Sequence, residues 1–588
     1  MGTRYERTIQ LTAVSFVLRR NSMMKFKKKT VYINENVPFR TLWKEPKLQW
    51  DVIGIALGIT VLLMFGAWYL TLPALNLKNA GFWVFAMAAV LIYFFAKMIV
   101  SAIRKKDAGV RNPVIVFTVL IVGLFGNLIF SSRLFHAKAY SEILKVEDAE
   151  IDLIPSVSGS SSIALMDTAS AERLGDRKIG SLSNVVSQFN VGEYMQINYQ
   201  EAPVKVAALK YDGFFKWNAN KNQGIPGYVI VNPVDMSADY ASLKEGMKYV
   251  PSAYFSKNLY RHIRFNNPSL LVDNVHFEID EEGNPWYVGS IYDHTIGLFG
   301  GKKVTGALII NPVNGDMQKY ALSDVPVWAD IVIDGDLICT QYNDHAQLQH
   351  GFWNSVFSQT DCRQVTTIRS ANEDGDEEAY PDYGYIAKEG DIWVYTGVTS
   401  LNGDSSNLGF ILANERTAET KYITCAGADE FSGMKSAEGE VQEKGYIASF
   451  PSLINVEGTP TYIMVLKDSN GLVKMYAAVN VEQYNIVATA ATQADCIEKY
   501  RKLMNAEITP DEAKSDEPAK DTSNYKEMTV KVKKLQTIDK GGDTYIYVVD
   551  ETDHIYNAKY ADVIGMILVE EGDEITILTD GTDFLLKE

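Results

Sequence analysis

The sequence predicts an α+β protein that occupies two solvents: three N-terminal transmembrane helices, a long region of antiparallel sheets with helices built on a repeated hairpin, and a small C-terminal β-barrel. Three observations predict it. Apolar stretches at Val52 to Leu72, Gly81 to Ile103 and Pro113 to about Ser132 follow one another closely, and about 20 residues at about 1.5 Å each cross a hydrocarbon core of about 30 Å. A strand–turn–strand pattern recurs in the remainder. The charge is divided: residues 1–132 hold 17 Lys+Arg against 5 Asp+Glu, and residues 133–588 hold 39 against 68.

Residues 1–50 form a basic tail with eleven Lys+Arg, among them Lys25, Lys27, Lys28, Lys29, Lys44 and Lys47. Its apolar run Thr8 to Leu18 is too short to span, and Arg19 and Arg20 follow it, the wrong order for a twin-arginine signal. Met23 and Met24 are alternative starts. Residues 51–132 carry the spans. The first connecting loop has only Lys78, the second has Arg104, Lys105, Lys106 and Arg111. Basic residues beside a span stay cytoplasmic, so the N-terminus is expected inside and the acidic remainder outside. Lys97, within the second span, is read as an anchor that snorkels to the interface.

Residues 133–165 read as a connecting segment ending in the run Ser156 to Ser162, and residues 166–507 as an extracytoplasmic α+β region. In it GYVIVNPVDMSADY begins at Gly227 and GALIINPVNGDMQKY at Gly306, so Gly-x-x-Ile-x-Asn-Pro-Val recurs after 79 residues. Weaker copies begin at Gly409 and Tyr462. Each is an apolar strand, a turn rich in Asn, Pro, Asp or Gly, and a strand ending at Tyr240, Tyr320, Tyr422 or Tyr476, which is the pattern of a β-hairpin. Further strands are expected at Val204 to Leu209, Trp286 to Ser290 and Ile392 to Thr396. Helices are expected at Ala253 to Phe265, where Phe255, Leu259 and Ile263 share a face, and at Ala494 to Met504.

Helix plus hairpin, with a strand running into an Asn-containing turn and ending at Tyr, resembles the PepSY module of bacterial envelope proteins. The chain to about Asn505 is similar to a Firmicutes family of large three-span membrane proteins, some labelled colicin V production-like or Tat-signal proteins. The stretches that carry the resemblance are MDTASAERLGDRKIGSL from Met166, NLYRHIRF from Asn258, FEIDEEGNPWYV from Phe277, VPVWAD from Val325, GADEFSGMKSAEG from Gly427 and GLVKMYAAVNVEQYNIVAT from Gly471. The resemblance implies PepSY-like repeats that inhibit or regulate peptidases or bind envelope ligands.

Residues 508–526, with Pro510, Pro518 and mixed charges, read as a linker. Residues 527–588 read as a separate domain. Strands at Met528 to Leu535, Thr544 to Val549, His554 to Tyr560, Glu574 to Leu578 and Asp583 to Leu586 suit a small OB-like or SH3-like barrel.

Chemistry-bearing motifs are sparse. Cys339, Cys362, Cys425 and Cys496 contain no Cys-x-x-Cys pair and are compatible with free buried thiols or with disulfides. Asp344, His345 and His350 lie in YNDHAQLQHGFW at a spacing that suits neither a helical nor a strand-borne metal site, and the acidic loop Glu373 to Glu378 lacks EF-hand spacing. There is no G-x-S-x-G and no H-E-x-x-H. Gly297 to Lys303 misses the Walker spacing and reads as a glycine-rich turn. No cofactor, metal or catalytic residue is expected. Lys257, Arg261 and Arg264 fall at helical spacing and form a basic stripe, either paired internally with carboxylates such as Glu278 or Asp280 or open to an anion or an acidic partner segment.

The net charge of -17 excludes a general phosphate-neutralising surface, so no nucleic-acid partner is expected. The outer sequence has no Asn-x-Ser/Thr acceptor with x other than Pro, in keeping with a prokaryotic source. The expected protein is a multi-pass plasma-membrane protein, in contact with lipid, whose extracytoplasmic region binds or regulates an envelope protein or cell-wall component without catalysis. The alternatives are an envelope hydrolase acting through carboxylates such as Asp280, Glu281 or Asp344, and an assembly factor for a membrane complex.

Overall fold

The computed structural model describes residues 49–106, 109, 111–156, 165–234, 236–371, 377–381, 383–401, 406–469, 471–513, 525–540 and 543–586. The basic tail, the loop at Glu373 to Asp376 and most of the linker lie outside them. Two compact units are present, Met1–Leu62 with Ala89–Thr118, and Leu63–Ala88 with Val119–Glu588.

Three helices, α1 (Trp50–Thr71), α2 (Ala80–Arg104) and α3 (Arg111–Phe130), are long and apolar enough to cross a membrane. They turn Leu62, Leu70, Val119 and Val122 outward, which water would penalise and lipid would not. In the first unit Asp51, in the opening turn of α1, accepts from Lys106 at 2.7 Å, and Lys97 extends its ammonium to the Gly109 carbonyl at 2.7 Å. A carboxylate in a first helical turn also meets the positive end of the helix dipole.

In the second unit, α4 (Arg133–Ser141) follows α3 directly. The chain then runs four times through a helix and a four-stranded antiparallel meander. The first is α5 (Thr168–Gly180) with β1 (Met195–Tyr199), β2 (Ala202–Tyr211), β3 (Ile225–Asn232) and β4 (Ser237–Met247); a short helix α6 (Phe214–Asn220) interrupts it. The second is α7 (Leu259–Asn266) with β5 (Val272–Ile279), β6 (Pro285–Ile296), β7 (Gly300–Ile310) and β8 (Met317–Ala321). The third is α8 (Gly335–Leu348) with β9 (Gly384–Lys388), β10 (Asp391–Ser400), β11 (Ser406–Asn414) and β12 (Thr420–Ala428), extended by Val146–Ala149, which pairs parallel to β12. The fourth is α9 (Glu430–Glu440) with β13 (Ser452–Val456), β14 (Thr459–Lys467), β15 (Val473–Asn480) and β16 (Val487–Ala490), closed by α10 (Gln493–Met504).

The sheets bury both faces, and alternation along each strand assigns neighbouring residues to different cores. On β7, Leu308 and Ile310 pack toward the first sheet with Phe277 and Tyr287, while Ala307 and Ile309 pack against Ile338 and Tyr342 of α8 and Ile411 of the third sheet. On β11, Phe410 and Leu412 meet Tyr462 and Met464 of β14. On β14, Ile463 and Val465 face Cys496, Ile497 and Tyr500 of α10. Near-continuous apolar strands are the sequence signature of that two-sided burial.

The repeated motif has a physical basis in three of its four copies. Asn232, Asn311 and Asn414 each close the same turn, their side-chain oxygens accepting from Val234, from Val313 and Asn314, and from Arg416 and Thr417. Asparagine suits that position because its short amide reproduces a backbone turn bond. Five residues earlier, a side chain at Gly227 would run into the ring of Tyr240, and one at Gly409 into Tyr422, so the glycine and the closing tyrosine of the motif are cross-strand neighbours. The copy at Tyr462 lacks the glycine and is displaced by one strand: it joins the second and third strands of its meander, whereas the others join the third and fourth.

The expected helix from Ala253 to Phe265 is not continuous. A 3-10 turn covers Phe255–Lys257, Phe255 takes φ +54°, and α7 starts only after Asn258, whose side chain accepts from the Arg261 N–H at 3.1 Å as an N-cap. The expected helix at Ala494 to Met504 is α10, capped by Thr492. The last five strands, β17 (Lys526–Lys540), β18 (Asp543–Asp550), β19 (Ile555–Lys559), β20 (Glu574–Thr579) and β21 (Phe584–Leu586), pair in the order β19-β18-β17-β20-β21 around an apolar core of their own. The four cysteines are free and buried.

Candidate functional site

The stripe residues of α7 meet the C-terminal end of α1. The last carbonyls of any helix lack intrahelical donors and carry its negative dipole end, so a guanidinium is a fitting partner. Leu259 and Ile263 bury the other face of α7 in the core and so turn the arginines outward. Arg261 donates through Nε to the Tyr69 carbonyl at 3.2 Å and through Nη1 to the Phe255 carbonyl at 2.8 Å; its plane lies 4.2 Å from the Tyr69 ring centre. Arg264 donates through Nε to the Leu72 carbonyl at 3.1 Å and through Nη1 to that of Leu270 at 2.8 Å. Lys257 stands apart from them, its ammonium 3.8 Å from the ring centre of Tyr249. The two arginines thus bond to backbone, and Glu278 and Asp280 have other partners.

The loop after α1 continues the contact. The Leu75 N–H donates to Pro268, Asn76 donates to the Ser269 carbonyl at 3.0 Å, and Lys78 reaches Asp293 at 2.8 Å and the His294 carbonyl at 2.7 Å. Phe265 packs on Trp68 with ring centres 4.8 Å apart. Beside these contacts lies a polar cavity of about 460 Å³ lined by Asn76, Asn267, Ser269, Tyr292, Asp293 and Lys319. Beyond α3, Arg133 grips Asp344 of α8, and Tyr140 donates to the Ser131 carbonyl at 2.6 Å.

A second constellation was not legible in the sequence. Glu278 at the end of β5 is buried and accepts from the backbone N–H of Asp330 at 2.9 Å, that of Ile331 at 3.1 Å, and His276 Nε2 at 2.7 Å. Asp330 accepts from the Asn198 N–H through one oxygen, and its Oδ1 has no partner among the described residues. Burial, reinforced by the charge of Glu278, pushes the Asp330 carboxyl well above the usual range. Burial likewise raises Glu415 well above it, and raises Glu430 to about 7. Burial works against a charged His276, but the hydrogen bond and charge of Glu278 outweigh it and hold the imidazole above its ordinary value. Glu278 and Asp330 thus meet from stretches 52 residues apart, and the tilted rings of Trp286 and Trp328 lie with their centres 5.6 Å apart.

The carboxylates of the hydrolase reading are dispersed over separate duties. Asp280 locks its turn, accepting from Asn284 N–H at 2.8 Å and Trp286 Nε1 at 2.9 Å. Glu281 accepts from the Gln200 N–H at 2.9 Å, and Asp344 is taken by Arg133. His345 bonds the Ser141 carbonyl, while His350 faces Asp361 at 3.5 Å across the rim of a cavity of about 350 Å³. Gly297 to Phe299 form the turn between β6 and β7 and Gly300 to Lys303 open β7, so the expected glycine-rich turn is shorter than the run; Gly297 and Gly301 take positive φ. Among the described residues no group of three His, Cys, Asp or Glu side chains is arranged to hold a metal ion.

No protein-family model matches the chain, and no curated protein matches it. Among solved structures, the exo-β-1,3-galactanase of Phanerochaete chrysosporium aligns over 66% of this chain and 77% of its own at 10% identity, with a TM-score of 0.15. That is too distant to indicate fold or activity.

Proposed function

We propose that the protein is a non-catalytic, multi-pass plasma-membrane protein, N-terminus inside, whose extracytoplasmic region binds or regulates an envelope partner such as a peptidase or the cell-wall machinery. The observation that carries this reading is the attachment of α7 to the end of α1: Arg261 on Tyr69 and Arg264 on Leu72 fix a large sheet region at the mouth of a span instead of leaving it on a tether. A rigid platform of this kind suits recognition at a set height above a membrane. The basic flanks and the acidic remainder support the orientation.

Two finer readings belong with it. The fourfold helix-plus-meander order supports PepSY-like modules as the repeating unit. For the C-terminal unit, β17 pairs with both β18 and β20, β19 and β21 meet through a parallel bridge at Asn557 and Asp583, and a 3-10 segment at Tyr560–Leu568 separates β19 from β20. This cycle of contacts supports a small OB-like barrel.

Photo-crosslinking in intact cells, with the probe on exposed residues of the sheet region, tests the proposal. Reproducible adducts with one envelope protein or with cell-wall polymer are expected. Adducts only with cytoplasmic proteins would overturn it.

A further inference from the structure

We infer that an aromatic patch beside the α1–α7 contact inserts into the outer leaflet of the same bilayer, as a second membrane attachment distinct from the spans. This rests on the span reading above. Phe215 is 84% exposed and Phe255 56%, with Phe214 and Tyr254 also part exposed, a concentration of large apolar surface that water does not favour. The rings form one group: Phe214 lies 5.2 Å from Tyr254 and 6.3 Å from Phe255, and buried Trp217 lies 5.7 Å from Phe255 and holds the cluster to the domain.

Its height above the membrane follows from one side chain. The Arg261 guanidinium bonds both the Phe255 carbonyl and the Tyr69 carbonyl, so the patch backbone lies within a single guanidinium of the last turn of α1. Trp68 and Tyr69 occupy that turn, the level at which aromatic belts mark the headgroup boundary. Charge agrees: residues 210–221 and 253–265 carry Lys210, Lys216, Lys221, Lys257, Arg261 and Arg264 against Asp212 alone, in a region otherwise rich in carboxylates. Aromatic side chains interleaved with lysines match lipid phosphates above acyl chains. Phe255, at φ +54°, holds a backbone conformation that bulky residues rarely adopt, with its ring more than half exposed.

The test uses the full chain in nanodiscs of phosphatidylethanolamine and phosphatidylglycerol. An environment-sensitive fluorophore is attached to Phe215→Cys, and separately to Phe214→Cys and to Phe125→Cys on the exposed side of α3; the native cysteines are buried. Lipids spin-labelled near the headgroup are expected to remove most of the emission at Phe215 and Phe214, which also shifts to the blue, and deeply labelled lipids to quench Phe125. Emission at both patch positions that stays unquenched, whether water-like or shielded, while Phe125 is quenched overturns the patch insertion alone. An unquenched Phe125 overturns the span reading and the insertion with it.

Discussion

Arg261 holds Tyr69 twice, donating to its carbonyl at 3.2 Å while stacking 4.2 Å over its ring. Arg264 bonds the Leu72 carbonyl at 3.1 Å with no ring to stack on, and its second bond, to Leu270, is half-buried where that of Arg261 to Phe255 is exposed. Charge-assisted hydrogen bonds of this kind are worth about 1.5–3 kcal/mol. Arg264→Ala is therefore expected to cost about 2–3 kcal/mol and Arg261→Ala about 1–2 kcal/mol. Thermal unfolding in detergent, with proteolysis of the 72–80 loop as the local readout, checks both values.

The three turn asparagines permit a graded comparison. Asn232→Ala and Asn311→Ala each remove an exposed or half-buried turn bond and are expected to cost about 1 kcal/mol. Asn414→Ala is expected to cost about 2–3 kcal/mol, because Asn414 is buried and also donates to Asp391 at 2.8 Å, leaving that carboxylate short of a donor. Equal losses at the three positions, by chemical denaturation, would contradict the assignment.

Glu430 gives a signed pH dependence. Burial raises its carboxyl to about 7, above the unfolded value of 4.5. Between those values the folded chain holds a proton that the unfolded chain has released, so stability falls as pH rises from about 4.5 to about 7, by about 3 kcal/mol in all. Glu430→Gln is expected to flatten that window and to raise the melting temperature at pH 8. An unchanged profile between pH 5 and 7 would remove Glu430 as the source.

The thiols predict silence. Burial raises Cys425 to about 11 and Cys496 to about 12, and Cys339 and Cys362 are buried too. The thiolate is the reactive form. A water-soluble maleimide at pH 7 is expected to leave the folded chain unmodified and to label four sites in denaturant, counted by mass.

The three long apolar helices were legible because runs of about twenty apolar residues are continuous in the sequence, and the hairpins because glycine, asparagine and tyrosine recur for reasons that are local: a close approach, an Asx turn, a cross-strand neighbour. The contact of Arg261 with Tyr69 was not legible. Its acceptor is a backbone carbonyl 192 residues away, and carbonyls have no sequence signature. Helical spacing also ran through Asn258, since periodicity cannot see a cap that begins a shorter helix. The enclosure of Glu278, Asp330 and Glu415 was not legible for a related reason, and Glu278 was read only as a partner for the basic stripe: whether a carboxylate is wet or enclosed between sheets depends on tertiary packing, which the pattern of one strand does not contain.

Labelling of Tyr484→Cys, an exposed position in the turn between β15 and β16, with a membrane-impermeant maleimide on intact cells tests the orientation on which the proposed function depends. The account predicts modification of whole cells at the level reached after lysis, with Lys106→Cys modified only after lysis. Tyr484→Cys protected in whole cells and modified only once they are opened would contradict it.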